Sequence, residues 1–147
     1  SSDKDPLYNS ISNMEGIKVL QWIPPDELLK YYNASDVYLL PMFSKYGGTK
    51  ISIAGGPGVA LMEAMSCNLP VVSTGLNHLR LENVESAGKN PSNFKEFCLG
   101  INEILLNPKS FLGGREMVLN DLDWNRLTKR YIDIYSDLFL KYEFSKN

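Results

Sequence analysis

Two short runs, Asp36-Val37-Tyr38-Leu39-Leu40-Pro41 and Leu69-Pro70-Val71-Val72-Ser73-Thr74, are largely apolar at successive positions rather than at every second one. A strand of that kind has to be covered on both faces, which is the condition of a parallel sheet between helices. The text between them contains a helical stretch over 59–67, and an earlier run, Ile17-Lys18-Val19-Leu20-Gln21-Trp22, is β-rich and stopped by Pro24-Pro25. Pro25 is tolerated at a helix start, and Asp26 and Glu27 suit the positive end of the helix dipole, which predicts a helix over 26–33. Strands thus alternate with helices, and the expectation is an α/β fold with a Rossmann-like parallel sheet and right-handed crossovers. Three strands leave one edge and much apolar surface uncovered, so the sheet reads as lacking its first strands.

The remaining elements follow from periodicity and stop signals. Phe94, Phe97, Ile101, Ile104 and Leu105 recur at helical spacing up to Asn107-Pro108. A shorter helix is expected over 110–119, weakened by Gly113-Gly114, and another over 6–14. From an N-cap at Asp123, the residues Trp124, Leu127, Tyr131, Ile134, Tyr135 and Leu138 form one stripe along an amphipathic helix. Asn68 follows the 59–67 helix at a position that favours a left-handed residue.

Composition excludes several classes. A net charge of −2 over 147 residues carries neither a nucleic-acid footprint nor a polybasic membrane patch. Two cysteines, Cys67 and Cys98, are too few for a disulfide scaffold and lack metal spacing, which fits a reducing compartment. No apolar run is long enough to cross a bilayer, and the polar opening Ser1 to Asp5 is not a signal peptide. The chain opens without a Met, as expected of a processed chain or of a segment cut from a longer protein. The expected location is cytoplasmic, free or peripheral to the inner face of the membrane.

The stretch from Gly55 to Thr74 carries the chemistry. Gly55-Gly56-Pro57-Gly58 has no side chain at three of four positions and opens into a helix whose first amides lack intrahelical partners. Such a start suits a phosphate or pyrophosphate, although the same residues also spell an ordinary turn, and Leu61 stands where a third dinucleotide-binding glycine would fall. Glu63 lies about one and a half turns into the helix, and its side chain leans back toward the start, where it could accept from a ribose diol. Alone, a carboxylate at this place is more often a surface or N-terminal-turn residue.

Residues 56–73, Gly-Pro-Gly-Val-Ala-Leu-Met-Glu-Ala-Met-Ser-Cys-Asn-Leu-Pro-Val-Val-Ser, closely resemble the donor-site motif of the family-four retaining glycosyltransferases, roughly E-G-F-G-L-x-x-x-E-A-M-A-x-G-x-P-V-V. The resemblance extends in order over Val19 to Trp22, Pro25 to Leu28, Ala34 to Pro41, Ile101 to Pro108 and the closing helix from Asp123-Trp124 to Tyr135. It implies a GT-B fold, in which the C-terminal of two Rossmann-like domains binds the nucleotide sugar. On that basis residues 1–122 are expected to be a partial nucleotide-sugar-binding domain, with 123–147 a helix packing on it and reaching toward a missing N-terminal domain.

The resemblance implies that Glu63 binds the nucleotide ribose and that the backbone of Gly56, Gly58 and Val59 faces the diphosphate or sugar. The family's first glutamate, which contacts the donor sugar, falls on Gly55, so no catalytic residue is assigned. Pro57 replaces the usual Phe and removes one amide, while Asn77, His78 and Arg80 stand in place of the family's gG-x-x-E element. The 44–54 loop holds Lys45 and Lys50, either of which could add charge at the phosphates or be solvated.

The expected partners are a nucleotide-sugar donor, a glycan or lipid-linked acceptor and the missing domain, with no metal or other cofactor. The isolated chain is expected to be inactive. A non-catalytic binding module is the alternative that Gly55 permits. A GT-B nucleotide-sugar epimerase fits the closing Trp…Tyr helix less well.

Overall fold

The computed structural model describes residues 10–42 and 58–144. The chain divides into two units, Ser1–Tyr31 and Tyr32–Asn147. In the first unit, residues 10–12 of the helix expected over 6–14 are helical, and 6–9 lie outside the described residues.

The strand expected at Ile17 to Trp22 does not form: residues 17–24 carry no regular structure. Its β-rich composition measures fit to a half-buried pleat rather than a backbone preference, and Trp22 is 83% exposed with Ile17 and Leu20 also outside. Helix α1, Pro25–Ala34, opens as its proline requires, with the Glu27 and Leu28 amides donating to the Pro24 carbonyl.

The second unit holds a three-stranded parallel sheet in the order β1, Tyr38–Leu40; β2, Val71–Ser73; β3, Gly88–Lys89. Tyr38 lies opposite Val71 and Leu40 opposite Ser73, and Val71 lies opposite Gly88. The third strand is therefore Gly88–Lys89, a pair with no β signal of its own, in place of Ile17 to Trp22. Glycine is what admits it: a Cβ at position 88 would collide with the Val71 carbonyl.

Helix α2, Gly58–Ser66, covers one face of this sheet and α3, Phe94–Leu106, covers the other. Val71 and Val72 show the division, since neighbours along a strand face opposite ways. Val71 packs with Leu61, Ala64, Met65 and Leu76, whereas Val72 packs with Phe97, Ile104 and Phe111. The fold is α/β and Rossmann-like, as the alternating pattern predicts.

Sequence also marks where the helices stop. Asn68 is left-handed at φ 58°, with its amide donating to the Met65 carbonyl and the Leu69 amide to that of Ala64. This double closure is a Schellman motif ending α2. Asn93 caps α3, its Oδ1 accepting from the Glu96 amide.

The helix expected over 110–119 is broken at Gly113-Gly114. A 3₁₀ turn at Pro108–Phe111 gives way to a single α-turn, α4, at Gly114–Met117 and then to a π-turn at Val118–Leu122. Helix α5, Trp124–Phe144, follows, with Asp123 Oδ1 accepting from the Asn125 and Arg126 amides. Trp124, Tyr131 and Tyr135, three members of the apolar stripe, are exposed, with Trp124 at 79%.

Candidate functional site

In a parallel β–α–β unit the crossover helix runs against the strands, so the start of α2 lies at the carboxyl edge of the sheet, where open α/β sheets receive ligands. That edge is tied together by polar groups immediately past the strands. The Met42 amide, after β1, donates to Thr74 Oγ1 at 3.0 Å, and the Gly75 amide, after β2, donates to Ser73 Oγ at 3.1 Å. The Asn77 amide donates to Asn90 Oδ1 at 3.0 Å, joining the exits of β2 and β3. Ser73 and Thr74 are fully buried, so their hydroxyls satisfy this backbone rather than face a ligand.

Gly58 is the first residue of α2 and has φ +71°, a conformation that other residues adopt only under strain. A side chain there would meet no described atom within 4 Å. The sequence thus uses glycine for the bend that points the chain into the helix. Val59 is 66% exposed beside it, although α2 as a whole is strongly apolar. Lys50, Gly55 and Gly56, with Pro57, lie outside the described residues, as does Lys45.

Glu63 is exposed on α2, roughly 7–8 Å along the axis from Gly58. Its carboxylate has a neighbour that residue spacing does not reveal: the Tyr32 hydroxyl donates to Glu63 Oε2 at 3.1 Å. The Tyr38 ring stands edge-on to that of Tyr32, with centroids 6.2 Å apart and planes at 65°. Burial, then the hydrogen bond to Glu63 and its negative charge, push the Tyr32 phenol well above the ordinary tyrosine range. Burial and the same carboxylate raise Tyr38.

The structure therefore gathers Gly58, Val59 and Glu63 on one helix and adds two tyrosines to the carboxylate. Sequence spacing does not reveal the Tyr32 contact, because Tyr32 is 31 positions from Glu63 and no periodicity links them. Asn77 and His78 are exposed on a 3₁₀ turn, Leu76–Leu79, and Arg80 closes it in the left-handed conformation at φ 52°. Cys67 is half-buried, its amide donating to the Glu63 and Ala64 carbonyls, and Cys98 is exposed.

Among the described residues, two hollows lie elsewhere than at this helix start. One, of about 280 Å³, is bordered by Glu82, Glu116 and Asp121, carboxylates that disfavour a phosphate. The other, of about 250 Å³, lies by the far end of α2 and includes Cys67, Asn68 and Pro70. Neither is lined by Gly58, Val59 or Glu63. A helix start can offer its amides without an enclosed cavity, and hollow size alone does not decide where an anion binds. Among the described residues, no three His, Cys, Asp or Glu side chains are grouped to hold a metal ion, and no helix is long and apolar enough to cross a membrane.

Residues 2–107 match the family model described as Glycosyl transferases group 1, a span that contains the whole sheet, α2 and α3. No curated protein and no solved structure matches the chain. The family match covers well over half of the sequence, and the chain belongs to the group 1 glycosyltransferases.

Proposed function

We propose that this glycosyltransferase domain is the donor-binding part of a retaining enzyme that moves a sugar from a nucleotide sugar to a glycan or lipid-linked acceptor. The observation that carries the reading is the pairing, on one helix, of a left-handed Gly58 opening the first amides with an exposed Glu63 carboxylate farther along. The amides offer partial positive charge to a diphosphate, and the carboxylate offers acceptors to a ribose diol.

In this reading catalysis is largely positional and electrostatic. The bond from the sugar's anomeric carbon to the diphosphate oxygen breaks, and an acceptor oxygen bonds to the same face of that carbon. The acceptor's proton leaves with the diphosphate, whose growing charge the helix start offsets. The acceptor arrives from outside this chain, so the chain alone is expected to show no transfer. Its location is proposed as cytoplasmic.

Gly55 supports a second reading, a non-catalytic binding or interaction module, because the family carries a sugar-contacting glutamate at that position. Titration of UDP-, GDP- and ADP-sugars into the full-length protein, with transfer and hydrolysis followed in parallel, separates the two. Saturable binding that Glu63→Ala weakens at least tenfold, accompanied by transfer, supports the enzyme. Binding without turnover favours the module. An unchanged affinity in Glu63→Ala overturns the ribose assignment.

A further inference from the structure

The phenol against Glu63 has a use beyond packing. A carboxylate has about four acceptor positions over two oxygens, and Tyr32 engages Oε2 alone. A glutamate on an exposed helical surface otherwise samples several rotamers, and a ligand that needs one of them must first freeze it. Tyr32 is itself held: its ring meets the edge of Tyr38, and both rings pack against the buried cluster that includes Leu61 and Met65. The donor is anchored to the core and the acceptor sits at the surface.

We propose that Tyr32 is a positioning residue that fixes the Glu63 carboxylate through Oε2 and leaves Oε1 to receive the vicinal hydroxyls of a ribose, so that the site prefers ribonucleotide donors over deoxyribonucleotide ones. This rests on the reading of Glu63 as the ribose acceptor. The raised phenol stays protonated at neutral pH and so remains a hydrogen-bond donor there. A carboxylate pinned at one oxygen presents the other in a constant direction. Two adjacent hydroxyls exploit that direction, and one hydroxyl exploits it less.

The test uses the full-length protein and UDP, GDP and ADP as probes, each beside its 2′-deoxy and 3′-deoxy counterpart, with affinities measured by calorimetry. Tyr32→Phe keeps the ring against Tyr38 and removes only the hydroxyl, and a thermal melt verifies that the fold is retained. For the ribonucleotide that binds best, the expected loss in Tyr32→Phe is about five- to tenfold, the freezing cost of one long side chain. The deoxy counterparts should lose less than twofold, and donor KM should rise with kcat nearly unchanged.

Equal losses for ribo and deoxy forms would make Tyr32 merely structural and overturn the proposal. Unchanged or tighter binding in Tyr32→Phe would overturn it as well, the latter by making the phenol a competitor of the ligand. Glu63→Ala run alongside distinguishes the two levels. If that variant loses ribonucleotide affinity while Tyr32→Phe does not, only the positioning role fails; if Glu63→Ala binds as before, the ribose reading itself fails.

Discussion

Helices α2 and α5 differ in what keeps them helical. The nine residues of α2 are apolar nearly all round and hide Leu61, Ala64 and Met65 completely. The 21 residues of α5 have a polar average, and Trp124, Tyr131, Tyr135 and Leu138 stand more than half exposed. A nine-residue helix is too short to persist in water on propensity, so α2 exists because the sheet packs against it. The longer α5 rests instead on local terms, among them its Asp123 cap. Tertiary packing supports the proposed binding helix, whereas local chemistry supports the closing one.

Three substitutions and one titration probe that contrast. Leu61→Ala removes a fully buried side chain from the α2 face and should cost about 2–5 kcal/mol, read as a fall in the denaturant midpoint. A cost below about 1 kcal/mol would mean that α2 does not depend on the sheet. Asp123→Ala should cost about 1 kcal/mol in the helicity of α5, seen as a loss of far-ultraviolet ellipticity, with the α2 core melting as before.

The cap of α3 supplies the titration. The Ser92 hydroxyl and amide, with the Asn93 side chain, hold the Glu96 carboxyl below the ordinary carboxylate range. A lowered folded-state value means that its stabilisation is complete above the unfolded value near 4.5 and fades as pH falls through the lowered one. Wild type should therefore melt slightly above Glu96→Gln at pH 7, and the gap should shrink as pH falls below the ordinary carboxylate range. Trp124→Ser, at a large but exposed side chain, should stay within about 0.5 kcal/mol of wild type. A larger loss would show that α5 relies on packing after all.

The same contrast explains what could be read in the sequence. Where burial and local chemistry agree, as at Val71-Val72-Ser73, Asn68 and Asp123, the elements and their ends are legible from residue types. Ile17 to Trp22 has β-favouring residues but little burial, and β3 has burial without β-favouring residues. Strand pairing depends on the partner surface, which local text does not carry. The site divides likewise. Gly58, Val59 and Glu63 are a local motif on one helix, whereas Tyr32 reaches the carboxylate only through the fold. Lys50, Gly55 and Gly56 lie outside the described residues, so their sequence reading stands as an expectation.

The far end of α2 is tied down twice. The Arg115 guanidinium donates from Nη1 to the Ser66 carbonyl at 2.7 Å, and the Arg115 amide donates to Asn68 Oδ1 at 3.4 Å. A rod moored at its base has a fixed azimuth as well as a fixed height. One residue added among Ala64, Met65 and Ser66 would leave the mooring in place and swing Glu63 about 100° around the axis, out of reach of Tyr32. The compass bearing of that carboxylate is therefore set by an arginine some fifty residues downstream.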